Sequence, residues 1–146
     1  MKLSAKTRYA AKILYYLAKN NREGPVSSNT ISVKTGISSQ FVEQIMRQLR
    51  LAGITGSIRG ARGGHVLLQS PDKLTFGCIV RLMEGGIELA CRDEKSESCL
   101  QAQDCEVRKA WLSLQGSLDN VLESMSLSDV LKYEEILDKH KKMIYG

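Results

Sequence analysis

Three cysteines on one polar stretch of the sequence carry the most specific chemistry that this chain offers. Cys91, Cys99 and Cys105 follow the spacing C-x7-C-x5-C and lie among charged residues, so burial in a core does not explain them. Three thiolates on one loop can bind one soft metal centre. The pattern fits an iron–sulfur cluster, a zinc site that needs a fourth ligand, or a thiol switch. The residues alone leave these three alternatives open.

Catalysis has no comparable support in the sequence. Neither histidine, His65 or His140, lies near a cysteine along the chain, so no nucleophile and base can be paired. No glycine motif that cradles phosphate opens a helix after a strand, and no nucleophile elbow is present. Cys78, the fourth cysteine, falls within a predicted helix and is expected to pack in the core. We therefore expect a sensing or binding protein without a small-molecule substrate.

Charge divides the chain into two unlike halves. Residues 1–77 contain 12 lysines and arginines against 3 acidic residues, whereas residues 78–146 contain 9 against 13. The net charges are therefore +9 and −4, and all four cysteines belong to the acidic half. This split predicts an anion-binding domain over residues 1–77, although basic surface is also common in small domains; the helices and hairpin described next assign this domain to DNA. Residues 78–146 then supply the cluster-binding loop (87–105) and the dimerisation helices.

A tight turn between two short helices indicates how the basic half would hold DNA. Periodicity predicts helices over residues 4–19, 28–34 and 39–52, and Gly36 ends the second of them. Two short helices joined in this way form a helix-turn-helix. The third helix has side chains that can read base edges or hold phosphates, although an ordinary solvated face is the alternative. The predicted interface on and just before this helix comprises Ser38, Ser39, Gln40, Glu43, Gln44, Arg47 and Arg50.

A basic, glycine-rich hairpin follows the helix-turn-helix. Predicted strands over residues 54–59 and 65–68 flank a flexible tip at 60–64. Arg59 and Arg62 are placed to enter a minor groove or to contact phosphates. A hairpin at this position is a wing, so we predict a mainly α fold with a small β-hairpin wing and double-stranded DNA as its partner.

The acidic half is predicted to consist of helices around the cysteine loop. Thr75 is the expected cap of a helix over 76–84, and a last amphipathic helix spans 127–143 with Ser128 as its cap. Between them, residues 106–125 form a long helix with apolar residues spaced 4-3-4-3-4. This heptad seam consists of Val107, Trp111, Leu114, Leu118, Val121 and Met125. The seam favours a homodimer, and a monomer that folds the helix over its own domain is the alternative.

Composition places the chain among ordinary globular proteins. Of its 146 residues, 42% are hydrophobic and 25% are charged. No apolar run approaches the roughly 18 residues that a membrane span needs, and no signal-peptide h-region follows the first residues. We therefore expect a cytoplasmic protein without membrane contact or structural disulfides.

Together, these segments resemble the Rrf2 family of bacterial winged-helix regulators, and most closely its iron–sulfur cluster regulator (IscR-type) branch. The resemblance covers nearly the whole chain. The matching segments are MKLSAKTRYA at 1–10, GPV at 24–26, residues 31–38, Glu43-Gln44 with Leu49-Arg50, SIRG at 57–60 with Gly63-Gly64, and the three-cysteine loop.

The resemblance implies a symmetric dimer crossed by a long helix, with a winged helix-turn-helix at each end. It also implies that the three cysteines bind a cluster, which is 2Fe-2S in IscR-type members and 4Fe-4S in some relatives, including sensors of nitric oxide. Gln40, Glu43 and Gln44 match residues that face bases. Glu43 matches a glutamate linked to discrimination between the cluster-bound and cluster-free forms. Arg59 matches a wing arginine of the minor groove.

Two departures from the family pattern concern the cluster. The IscR-type fourth ligand is a histidine at the position of Arg108, and the carboxylate that some relatives use lies at the position of Arg8. Neither arginine can bind metal. The seven-residue gap between the first two cysteines is also longer than in the IscR pattern. Asp104, Glu106, another loop carboxylate, a solvent molecule or an external thiol are the candidate fourth ligands.

The sequence thus predicts a dimeric transcription regulator, a repressor of iron–sulfur biogenesis genes that a cluster controls. A thiol-responsive, zinc-responsive or nitric-oxide-sensing regulator on the same fold is the first alternative. A cluster carrier that binds no specific DNA is the alternative from another class.

Overall fold

The computed structural model describes residues 2–89 and 105–145 of the chain. Over these residues the fold is mainly helical, with one antiparallel hairpin, as predicted. The elements are α1 (Ala5–Lys19), α2 (Ser28–Thr35), α3 (Ser39–Leu51), β1 (Thr55–Ile58), β2 (Gly64–Leu67), α4 (Phe76–Glu84), α5 (Glu106–Glu123) and α6 (Leu127–Tyr145). Their order agrees with the sequence prediction, and their ends differ from it by at most two residues.

One hydrophobic core holds α1 to α4 together. Its fully buried side chains recur at helical spacing, which gives each helix one apolar face. They include Ile13, Leu14, Ile31, Val42, Ile45, Leu49, Leu74 and Ile79. Cys78 is partly buried and packs against this core, as predicted. Leu127, at the start of α6, is 1% exposed and is the one buried residue of that helix.

Hydroxyl side chains fix where four of the helices begin. Ser4, Ser27, Ser38 and Thr75 each accept a hydrogen bond from a backbone N–H in the first turn of their helix. Such caps satisfy donors that a helix start would otherwise leave unpaired. Gly36 ends α2 in the left-handed region with φ 73°, as predicted. Helix-turn-helix geometry is therefore set by local residues.

The cap of α6 differs from the prediction. Ser128 was the expected cap, but Ser126 performs this role. Its hydroxyl accepts from the Asp129 backbone N–H at 3.2 Å, and the Asp129 carboxylate accepts from the Ser126 N–H at 2.8 Å. This reciprocal arrangement is a capping box, which satisfies two donors at once and therefore prevails over Ser128.

The wing is joined to the helices by a third backbone segment. β1 pairs with β2 in a register that places Thr55 opposite Leu67 and Ser57 opposite His65. Val26, between α1 and α2, bonds to the outer side of His65 through N–H···O contacts of 2.9 and 2.7 Å. The hairpin is therefore anchored to the helix-turn-helix at its base.

None of the helices in residues 2–89 and 105–145 combines the length and the apolar character needed to cross a bilayer.

Candidate DNA-binding face and cysteine site

All nine residues that the sequence predicts to contact DNA are exposed. They are Ser38, Ser39, Gln40, Glu43, Gln44, Arg47, Arg50, Arg59 and Arg62. On α3 they alternate with Val42, Ile45, Met46 and Leu49, which are buried. The apolar face of α3 is thus buried in the core, and its polar face stays exposed to a partner. Their contact with DNA remains a prediction, which this exposure permits.

Two serines at the start of α3 already have structural partners. The Ser38 hydroxyl accepts from the Phe41 backbone N–H at 3.3 Å, and the Ser39 hydroxyl lies 3.4 Å from that of Ser32. The cap uses one of the two lone pairs of the Ser38 hydroxyl and leaves its O–H able to donate to a phosphate. Because the cap fixes the position of this hydroxyl, Ser38 has less freedom toward DNA than the amides that follow it.

Tyr9 is a surface residue at this face that sequence reasoning did not select. Its ring meets Phe41 edge to face, with centroids 5.4 Å apart and planes at 86°. Tyr9 is 37% exposed and links α1 to the first turn of α3. Its position directly after Arg8 is the sequence signal that could have identified Tyr9 as part of this face. Edge-to-face pairs of this kind add specific packing between elements.

The wing tip depends on its glycines. Gly60 has φ 114°, a conformation that other residues rarely adopt, and its carbonyl accepts from the Gly63 N–H at 3.0 Å. A Cβ on Gly63 would collide with the Ile58 carbonyl oxygen. The glycines therefore allow a tight tip that presents Arg59 and Arg62 to solvent.

His65 ties the wing to the helix-turn-helix. Its Nε2 lies 2.7 Å from the Ser28 hydroxyl at the start of α2. Partial burial lowers the pKa of His65; nearby Glu43 opposes the shift and Arg50 reinforces it. A neutral ring at physiological pH suits this hydrogen bond. The sequence placed His65 on the wing without a role, and the structure gives it a positioning role.

Only one of the three predicted cluster ligands falls within the described residues. Cys91 and Cys99 lie outside them, as does Asp104. Cys105 is a free, partly buried thiol at the N-cap position of α5, and its side chain makes no capping hydrogen bond. An anionic ligand atom is favoured there because the helix dipole is positive at its start. A soft, uncommitted donor at this position fits a thiolate-bound iron–sulfur cluster.

The candidate fourth ligands are only partly placed. Glu106 is 82% exposed and its carboxylate accepts from Lys109 Nζ at 2.8 Å, so a metal would have to compete with that weak surface ion pair. Arg8 is exposed on α1, and Arg108 lies in the first turn of α5. Among the residues that the structure describes, no three His, Cys, Asp or Glu side chains form a metal-binding group.

The heptad seam of α5 is uncovered in the single chain. None of the described α5 side chains is buried, and Val107, Leu114 and Val121 are 64%, 53% and 65% exposed. Exposed apolar side chains continue along α6, where Tyr133, Ile136 and Leu137 are 52–60% exposed. Exposed apolar side chains in such numbers on one helix mark an interaction site. The predicted alternative, a monomer that buries the seam against its own domain, is not what the structure shows.

A protein-family model for Rrf2, an iron-dependent transcriptional regulator, matches residues 3–133. The curated relatives include the HTH-type transcriptional regulator CymR of Bacillus subtilis, which is 36% identical over 135 residues, covering 92% of this chain and 93% of CymR. They also include IscR of Pectobacterium carotovorum, 30% identical over 138 residues, covering 94% of this chain and 84% of IscR. These relatives are named as transcription regulators and not as enzymes.

Solved structures of both kinds of regulator resemble this chain. The structure of CymR, described as the global cysteine regulator of B. subtilis, has a TM-score of 0.75 and 37% identity, covering 91% of this chain and 98% of the other. An IscR from T. potens has a TM-score of 0.73 and 31% identity, covering 92% and 88%.

Proposed function

Because the chain belongs to the Rrf2 family of DNA-binding transcription regulators, we propose that it is a homodimeric repressor controlled by an iron–sulfur cluster on Cys91, Cys99 and Cys105. Its targets on this proposal are genes of iron–sulfur cluster biogenesis. The observation that carries the proposal is the place of Cys105. The last cysteine is the N-cap residue of the helix that bears the exposed heptad seam.

The chain's own residues supply the two ends of this mechanism. The exposed amides and arginines of α3 would lie in a major groove, and Arg59 of the wing would lie in the adjacent minor groove. Pairing of α5 with a second copy would set the distance between two such faces. A dimer then reads two half-sites spaced by about one turn of DNA or a multiple of it.

The cysteine loop acts on that distance through α5. When bound, a cluster would supply a redox-sensitive metal centre that oxidants or metal loss can remove. Cys105 ties the loop directly to the first turn of α5, so the position of this thiol constrains the helix. On this mechanism the cluster and the operator each bind one arrangement of α5 more tightly than the other. That difference couples the two sites by a free energy of typically about 1–3 kcal/mol.

Anaerobic purification with a visible spectrum and assays of iron and acid-labile sulfide tests the cluster. We expect absorption above about 400 nm with about two irons and two sulfides per chain for 2Fe-2S, or about four of each for 4Fe-4S. The Cys78→Ala variant is the matched control and should keep the colour, because Cys78 packs on the core. A colourless protein that resists reconstitution with iron and sulfide would contradict the cluster.

A thiol-responsive regulator of cysteine metabolism is the second candidate. It is favoured by the 36% identity to CymR over 92% of this chain. Because Cys105 is a free thiol, it can be oxidised. This candidate predicts a colourless protein whose operator binding changes with oxidant, and in which chelators have no effect.

A further inference from the structure

Polar side chains join the end of α5 to the start of α4, and we call Thr75, Gly77, Arg81 and Glu123 the α4–α5 junction. Glu123 Oε2 accepts from the Thr75 hydroxyl at 2.7 Å, and Oε1 accepts from the Arg81 guanidinium. These two donors, Thr75 first, hold the pKa of Glu123 below its usual range. The carboxylate is therefore charged and engaged on both oxygens.

Thr75 serves two helices through the same hydroxyl. Its oxygen accepts from the Cys78 backbone N–H at 3.0 Å as the N-cap of α4, while its O–H donates to Glu123 Oε2. A hydroxyl has one proton and two lone pairs, so these roles are compatible and orient each other. Moving Glu123 therefore disturbs the cap on which the start of α4 depends.

Gly77 lies where the carboxylate of Glu123 approaches α4. It is buried in the first turn of that helix, and a Cβ added there would clash with Glu123 Oε1. A larger residue at this position would therefore require the Glu123 side chain to shift.

Backbone bonds continue the junction into the core. The Phe76 N–H donates to the Met125 carbonyl at 2.9 Å, and the Leu127 N–H donates to the Leu74 carbonyl at 2.9 Å. Leu74 and Leu127 are 0% and 1% exposed. The turn after α5 is thus fixed to the core, while α5 itself has no described side chain buried in it.

The junction lies at the end of α5 away from the cysteine loop. The loop joins the end of α4 to Cys105 at the start of α5, and the Leu89 N–H donates to Gln115 Oε1 at 2.7 Å in the middle of α5. An 18-residue helix spans about 27 Å, so a tilt of α5 that displaces Cys105 would also load the junction at the other end of the helix.

Contacts through α1 connect α4 to α3, the helix that carries most of the predicted DNA-contacting side chains. Glu84, at the end of α4, accepts from the Ser4 N–H at 2.8 Å and the Thr7 hydroxyl at 2.6 Å on α1. On the same helix, Tyr9 packs against Phe41 at the start of α3. A rotation of α4 can therefore be transmitted to α3 through the side chains of α1.

We propose that Glu123 is the positioning residue that couples the state of the cysteine loop to the DNA-binding face. The inference rests on the proposed function, because it requires the loop to have two states. Two packed arrangements, with Glu123 engaged or displaced, would be the two-state element that such coupling needs.

The test compares operator affinity in the two loop states for the full-length dimer. The probe is a duplex selected from a random pool by the purified wild type, and the states are as purified anaerobically and after metal removal. In the wild type we expect a ratio of dissociation constants of about 5 to 150. In Glu123→Ala the ratio should fall to within about twofold of one, whereas a purely structural role would lower the melting temperature and preserve the ratio.

Two further variants keep the inference falsifiable. Glu123→Gln retains an acceptor oxygen without the charge and should give an intermediate ratio. It takes the place of the alanine variant in the test if that variant does not fold. Glu135→Gln is the control, because Glu135 is an exposed carboxyl of α6 outside the α4–α5 junction, and its ratio should match that of the wild type. A wild-type ratio in folded Glu123→Ala, or in Glu123→Gln where alanine fails to fold, overturns the inference alone. A ratio of one in the wild type overturns the proposed function and, with it, this inference.

Discussion

The DNA-binding half and the cysteine-bearing half of this chain differ in how much of each is completed by one copy. Residues from α1 to α4 share one buried core, and the polar face of α3 is supported by it. By contrast, none of the α5 side chains in the described residues is buried, and the α5 seam is open to solvent. In one copy of the chain the core beneath the first half is complete, whereas the apolar seam of α5 remains exposed.

This difference separates what each half can do alone. A recognition face set by caps and core packing does not need the cofactor to form. On the proposed function, the seam would pair with a second copy and the thiol of Cys105 would bind the cluster. We therefore expect changes in the cysteine loop and on the exposed seam of α5 to alter assembly and regulation while they leave the winged helix-turn-helix folded.

The largest expected effect is loss of the cluster in Cys99→Ala. Removing one of three thiolates should abolish cluster binding, because the remaining protein ligands cannot hold the metal centre. Absorption above about 400 nm should vanish, while sedimentation should still show a dimer. A monomeric variant would mean that the loop builds the interface, which would break the division between the two halves.

The next effect concerns the seam. Leu114→Asp places a charge at its centre and should yield a monomer whose operator affinity is lower by about 100-fold or more, because two linked half-site contacts become one. Ser113→Asp, on the same helix but off the seam, should remain dimeric. Analytical ultracentrifugation and gel shifts measure both. A dimeric Leu114→Asp protein would refute the assignment of this interface.

A smaller effect is expected at the wing. Arg59→Ala should weaken operator binding by about 1–3 kcal/mol and reduce the slope of log K against log salt by about 0.9 if Arg59 contacts one phosphate. Lys141→Ala, at the far end of α6, should leave the slope unchanged. An unchanged slope in Arg59→Ala would argue against wing contact with the DNA backbone.

The smallest effect is a pH dependence at the contact between α1 and the end of α4. The Thr7 and Ser4 donors lower the pKa of Glu84, so its contribution to stability is present above the unfolded value of 4.5 and is lost as the pH falls through the folded value. Urea unfolding should show that Glu84→Gln loses less stability than the wild type between pH 7 and pH 3. Glu135→Gln, an exposed α6 carboxyl without a hydrogen bond in residues 105–145, should behave like the wild type. An equal acid loss in Glu84→Gln would show that the α1–α4 contact contributes nothing.

Local patterns made most of the fold predictable. Periodicity, capping hydroxyls and Gly36 determine the helix-turn-helix, and the exposure of the predicted face follows from the apolar stripe of α3. The missed α6 cap also had a local signal, since Ser126-x-x-Asp129 is a capping-box pattern. The junction at Glu123 had none, because it depends on how α4 and α5 approach each other. The role of His65 likewise depends on a contact with Ser28, 37 positions away along the chain.

The most direct test of the account is the operator affinity of the wild-type dimer in its two loop states at fixed salt. Filter binding with the selected duplex, before and after metal removal and with the thiols kept reduced, gives both dissociation constants. We predict that they differ by about fivefold or more, with the dimer intact in both states. Equal dissociation constants in a protein shown to carry a cluster would contradict the central claim that the cysteine loop controls DNA binding.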